Sequence, residues 1–346
     1  MKFITLCSYI ILYFSSFMFL NGCSTITYYS QAIGGQWEIF SRLRPIEDVI
    51  TQSTTSPLLK QQLTDILKIR AFASEVLILP DNDSYTDYVD LERSSVVWSV
   101  FATPKFSFEP KQWCFFIVGC VSYRGYFSKV RAQTLAQTLR AQHYDVYVAS
   151  IPAYSTLGWF DDPVLNTMLA WPLYDIAGLI FHELAHQKIY IKDDTAFNEA
   201  FAMTVEYVGI ERWLAKYGTP QNIADYRQAQ QRQQAFIDLV LSTRNELEQI
   251  YQQDLLPQKM EVAKTTAFDK LRSQYQQLKT RWGGFAGYDA WFAKDLNNAK
   301  LLSVVTYEED VPVFQALLEQ LGGDLPAFYQ AVEKLGKLPK EERRKD

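Results

Sequence analysis

Apolar residues along this chain begin as an almost unbroken run over residues 3–20, then recur at helical spacing, then at strand spacing, then in long helical patterns again. From Gln36 to Leu77, Leu58, Leu59, Leu63, Ile66, Leu67 and Ile69 stand among polar partners, which predicts helix. Strand-like segments follow at residues 95–101, 114–118 and 145–149, separated by Pro-containing loops and by a helix predicted over 129–141. Leu173, Ile176, Leu179, Ile180 and Leu184 then predict a largely buried helix. Beyond Gly218-Thr219-Pro220 the chain turns Gln- and Arg-rich, and Ile223, Phe236, Leu239, Leu241, Leu247 and Ile250 mark an inward face up to the break at Pro257. A second helix through Trp282 completes an antiparallel hairpin expected to cover the preceding domain, as structural cover or as a lid or partner surface. Helices over 285–335 are expected to return toward that domain's cleft, and the Lys-, Glu- and Arg-rich end from Lys337 is expected to be disordered.

The first residues read as an address. Lys2 precedes the apolar run, and Leu20-Asn21-Gly22-Cys23 resembles a lipoprotein processing box, so residues 1–22 are a signal peptide and Cys23 the lipidated first residue. A single transmembrane anchor is the alternative, because the run is nearly long enough to span a bilayer. Ser24 points to the outer membrane by resemblance to the sorting rule of Gram-negative lipoproteins, with the body facing the periplasm. No later stretch is apolar enough to cross a membrane, which predicts a soluble, tethered body. Aromatic residues make up 15% of the chain, enough for a substantial core. Loss of residues 1–22, whose only charge is Lys2, moves the net charge from -5 to -6, and no basic tract suggests nucleic acid. An oxidising envelope permits a bridge between Cys114 and Cys120. On one extended strand they would lie about 20 Å apart, so the bridge requires a turn near Gly119 and is left open.

The candidate chemistry lies in His182-Glu183-Leu184-Ala185-His186, which holds two of the three histidines in 346 residues. Residues i and i+4 share a helix face, so both imidazoles can bind one zinc ion beside Glu183 as general base. Burying two neutral histidines without a partner would be costly. Glu199 is the expected third ligand, on a second helix that Asp194 or Thr195 can cap and that carries Glu199, Met203 and Glu206 along one face. Glu206 either orients a ligand imidazole or is an ordinary face charge. His143 stands where a turn residue is expected and is not read as a ligand.

HELAHQ and FNEAFA, with Glu206 after them, resemble the corresponding segments of gluzincins of the aminopeptidase N and leukotriene A4 hydrolase group, with a shorter interval between His186 and Glu199. Most of the mature chain is similar to a family of bacterial envelope proteins called predicted aminopeptidases, through Leu79-Pro80-Asp81-Asn82-Asp83-Ser84-Tyr85, Tyr123-Arg124-Gly125-Tyr126-Phe127 and residues 153–160. The resemblance implies a zincin-like core. The chain lacks the Gly-x-Met-Glu-Asn motif by which the aminopeptidase N group holds a substrate amine, so exo- and endopeptidase action both stay open.

The expected fold is therefore α+β, mostly helical: a zincin-like catalytic domain over 23–218 with N-terminal helices and a small mixed sheet, a helical region over 219–336, and a tail over 337–346. The expected function is zinc-dependent peptide-bond hydrolysis by an aminopeptidase, with His182, His186 and Glu199 on the metal and Glu183 as base and then acid. Tyr126 and Tyr307 are candidates for the oxyanion donor. An edge strand before the metal helix is expected to hold the peptide, with residues 154–160 shaping the entrance. A cell-wall peptide or amide hydrolase, and a non-catalytic zinc-containing binding lipoprotein, are the alternatives.

Overall fold

The structure is a computed structural model that describes residues 27–115, 119–156, 158–293, 295–304 and 310–343. The proposed signal peptide, Cys23 and Tyr307 lie outside the described residues. Mostly helical, with small sheets, the chain is an α+β protein.

The helix expected from Gln36 to Leu77 is instead three. Residues 27–41 form α1, a two-residue strand β1 (Arg44–Pro45) interrupts, and α2 (Ile46–Thr51) and α3 (Pro57–Glu75) follow. Pro45, which lacks a donor, ends one element, and Ser56 caps α3 by accepting from the Leu59 amide at 3.2 Å with Pro57 in its first turn.

Strands β2 (Asp87–Val89) and β8 (Val164–Leu165) pair in parallel, and β1 joins β2 antiparallel, which makes a small mixed sheet. A second sheet has the order β6-β3-β7, built from β3 (Val97–Pro104), β6 (Tyr123–Tyr126) and β7 (Tyr144–Ile151), all antiparallel. Helix α4 (Lys129–Ala141), capped by Ser128, packs Ala132, Ala136 and Leu139 on it. Of the strand expected over 114–118, residues 116–118 lie outside the described residues; β4 (Trp113–Phe115) and β5 (Gly119–Val121) face each other antiparallel, with Gly119 at φ 72°. That reversal places Cys114 opposite Cys120, and they form a disulfide.

The largest core surrounds α5 (Leu173–Lys188) and α6 (Thr195–Tyr217). Two glycines permit their close approach. A Cβ at Gly178 would come within 2.7 Å of Ile210, and one at Gly209 within 2.5 Å of the Phe181 ring. Two C-terminal helices, α11 (Val311–Gln320) and α12 (Leu325–Gly336), return to this core, Phe314 meeting Phe197 of α6 edge-on and Phe328 stacking on Phe201.

Between them run α7 (Pro220–Tyr251) and α8 (Pro257–Arg281), then α9 (Asp289–Ala293) and α10 (Asn298–Leu302). The α7–α8 hairpin covers the preceding part of the chain, as expected, but at the antiparallel sheet rather than over α5 and α6. Its apolar face closes on itself, Phe236, Val240 and Leu247 meeting Phe268, Leu271, Tyr275 and Phe292 in a separate core. It leans on the antiparallel sheet, where Lys264 bonds Asp145 at 2.5 Å and the Lys105 carbonyl at 2.6 Å. Among the described residues of α7, its first turns, through Ile223 and Tyr226, reach the core around α5 and α6.

The tail also departs from expectation. Through residue 343 it is held by charge, Arg343 pairing with the buried carboxylate of Asp194 at 2.7 Å and Lys340 at 3.7 Å. Residues 344–346 lie outside the described residues. Among the described residues no helix is long and apolar enough to cross a membrane.

Candidate metal centre

Helix α5 is set by Pro172 at its N-cap and buries Ile176, Ile180, Phe181 and Leu184, which turns His182 and His186 toward α6. The chain then reverses in a loop held by Asn198. This buried amide accepts from the Ile191 N–H and donates to the Ile191 carbonyl, both at 2.8 Å. Asp194 occupies the N-cap position of α6. Asn198 therefore fixes the loop one residue before Glu199.

Nε2 of His182 and Nε2 of His186 are 3.1 Å apart, and Glu199 oxygens lie 3.3 Å and 3.7 Å from them. One ligand atom from each of the three residues falls within 4.8 Å of the others. Glu206, two turns after Glu199, places Oε2 3.0 Å from Nδ1 of His182. If Nδ1 carries the proton to that carboxylate, Nε2 offers a lone pair to the centre. Two imidazole nitrogens and a carboxylate then converge where only a cation relieves their mutual repulsion. The residues fit a divalent metal ion.

The titration behaviour has the same origin. Burial works against the His182 imidazolium, yet the carboxylates of Glu199 and Glu206 outweigh it and raise the pKa to about 10. Burial works against the Glu199 carboxylate, and hydrogen bonds from both histidines lower its pKa to about 2. A proton held among these groups and a metal ion compete for one place.

Glu183 faces a different wall. Burial raises its pKa above the ordinary 4.5, opposed by the two histidines and by the Ser155 hydroxyl and reinforced by Asp162. Ser155 also donates to Asp162 at 2.8 Å, and Asp162, itself buried, accepts from the Thr156 amide at 2.9 Å. Tyr85 is packed in at this point with φ 65°, a left-handed conformation costly for an aromatic residue, and its amide donates to the Asp162 carbonyl at 2.7 Å. Burial raises its phenol pKa, and the negative charge of Glu183 adds to the effect. The loop carrying Tyr85 is tied down by Arg70, which donates to the carbonyls of Pro80, Asn82 and Ser84, and by Asn82 donating to Gln187 at 2.6 Å.

The fold thus brings His182, Glu183, His186, Glu199 and Glu206 together. It does not bring Tyr126, which packs with Tyr28, Arg124 and the sheet core, so it is no oxyanion donor for this centre. His143 ends α4 in a left-handed turn at φ 65°, as its position suggests. Sequence reasoning missed Tyr85, Ser155 and Asp162 as neighbours of Glu183. Their signal was the polar run over 79–85 for Tyr85 and, for the rest, Ser155 and the paired Asp161-Asp162 at the two ends of an aromatic segment.

Residues 27–346 match the model of the family described as "Putative aminopeptidase", and the chain belongs to that family. No curated protein and no solved structure matches it. The family's description supports a peptidase.

Proposed function

We propose that this protein is a zinc-dependent peptide-bond hydrolase with a zincin-like core, acting as an aminopeptidase. The observation that carries the reading is the convergence of His182, His186 and Glu199 beside a buried Glu183. His182, His186 and Glu199 would hold the metal, which leaves room for water and substrate. Zinc bound there supplies a Lewis acid that acidifies water and polarises the scissile carbonyl. Glu183 takes the proton from the attacking water and returns it to the leaving nitrogen. Its raised pKa suits both halves of that exchange. Glu206 holds the His182 ring in the ligating tautomer. Tyr85, buried in the wall beside Glu183 on the loop pinned to the Asp162 carbonyl, is the proposed donor to the developing oxyanion.

The protein acts in the bacterial envelope as an outer-membrane lipoprotein anchored through Cys23, facing the periplasm. Its partners are a peptide substrate and the membrane, with no nucleic acid. An outer-membrane anchor also places the site near cell-wall peptides, which makes a cell-wall hydrolase the second reading. The test is incubation with peptides bearing free or blocked amino termini and with cell-wall fragments, with and without chelator. Chelator-sensitive release of single amino-terminal residues from free peptides only is expected. Cleavage of blocked peptides or wall fragments would replace the aminopeptidase assignment, and no cleavage at all would favour a non-catalytic zinc-containing binding lipoprotein.

A further inference from the structure

Helix α1 is apolar on two sides. Its inner side is accounted for: Ile39 is buried in the main core and Gly35 lies against Phe127. The opposite stripe is not. Ile33 and Trp37, one turn apart, are 69% and 70% exposed. Phe40, a turn further along the same stripe, meets the Phe160 ring edge-on with centroids 5.0 Å apart. Phe160 is 52% exposed and its neighbour Trp159 is 81% exposed. Ile33, Trp37, Phe40, Phe160 and Trp159 thereby form an aromatic-rich outer surface shared by two segments far apart in sequence, the kind of patch that marks an interaction face.

We infer that this surface rests on the lipid bilayer to which the chain is tethered, an inference that builds on the envelope-anchor reading above. Position in the chain selects the occupant. The apolar run over 3–20 ends seven residues before α1, and Cys23 stands four residues before it, a span of at most roughly 14 Å if fully extended. Attachment at either place holds α1 near the membrane surface. No Asp, Glu, Lys or Arg occurs from Phe3 to Trp37. The first charge, Glu38, is turned to Arg93 at 2.8 Å. A charge-free helix face with tryptophan at its edge is suited to the headgroup boundary, where indole buries its ring and keeps its N–H wet.

The same contact reaches the candidate centre. Trp159 and Phe160 belong to the segment that brings Ser155 to Glu183, and Gly158, at φ 78°, lies so close to Gln187 of α5 that a Cβ would stand 3.1 Å from its Cγ. Docking of this face holds one wall of the centre at the bilayer surface, so peptides near the membrane meet it first.

The test uses protein expressed from the full sequence, with whatever anchor the cell leaves on it, reconstituted into phosphatidylethanolamine–phosphatidylglycerol vesicles with and without brominated acyl chains. Co-sedimentation reports the tether and tryptophan quenching reports the face. Of the eight tryptophans, Trp37 and Trp159 are expected to account for more than half of the quenching. The double variant Trp37→Phe/Trp159→Phe keeps the surface apolar and should remove that share while still sedimenting. Sedimentation with no quenching, or with quenching unchanged in the double variant, overturns the docking face and leaves the tether standing. Concentration-dependent self-association that shields both tryptophans from brominated lipid would assign the surface to a second copy instead. Failure to sediment contradicts the tether and the inference together.

Discussion

Oε2 of Glu206 stands 3.0 Å from Nδ1 of His182, on the side of the ring away from Glu199. A proton on Nδ1 shared with that carboxylate would leave Nε2 facing the centre and strengthen it as a donor to metal. Replacing Glu206 with Gln keeps the size of the side chain and removes its charge. Glu206→Gln is expected to lower metal affinity by roughly 10- to 100-fold with the fold retained. Competition against a chelator of known affinity measures this. Unchanged affinity would make Glu206 an ordinary charge on the helix face.

Tyr85 is expected to matter through its hydroxyl rather than its ring. Tyr85→Phe preserves the packing and the left-handed backbone, so stability and metal content should stay near wild type. Loss of one oxyanion donor typically costs on the order of 100- to 1,000-fold in kcat, and a fall toward that range is expected. Wild-type kcat in this variant would leave Tyr85 a purely structural residue.

The pH profile should carry the signature of Glu183. The base works only when deprotonated; burial raises its pKa and a metal dication beside it would lower it, so the rate should fall on the acid side at a pH set by the charges around Glu183. Asp162 contributes a neighbouring negative charge. Asp162→Asn is therefore expected to move the acid limb to lower pH. Metal content must be followed across the same range, because protonation of the histidines also releases metal. A limb that moves upward in Asp162→Asn contradicts the electrostatic assignment.

The Cys114–Cys120 bridge closes a short hairpin loop, and chain-entropy reasoning gives it about 2 kcal/mol. The paired Cys114→Ser/Cys120→Ser variant is expected to lose roughly that much stability, read by denaturant unfolding, with peptidase activity retained. Recovery of Cys114 and Cys120 as free thiols from the protein isolated without reductant would show that the bridge does not form.

What could be read from the sequence was local. Helix α4 occupies the residues its pattern predicted, because Ser128 caps it and its apolar spacing needs no distant partner. The i, i+4 geometry of His182 and His186, and the placement of Glu199 and Glu206 on one face of α6, follow from helical period alone. The hairpin of α7 and α8 was visible as two helices, but periodicity shows that a face is apolar and not what it will meet. Tyr85, Ser155 and Asp162 reach Glu183 through loops whose course is set by Arg70, Gln187 and Asp162, contacts spanning up to 105 residues. Arg343 reaching Asp194 is of the same kind, a long-range pair that tail composition hid.

Glu183 carries the proposed mechanism, and the most direct measurement is turnover of a cleavable peptide by Glu183→Gln at zinc occupancy equal to wild type. The amide preserves the shape of the side chain and cannot accept the proton. Because Glu183 serves in both proton transfers, the loss should reach or exceed the upper end of the roughly 100- to 10,000-fold typical of general acid–base groups, with zinc content and fold unchanged. Equal turnover by the two proteins at equal zinc would contradict the mechanism.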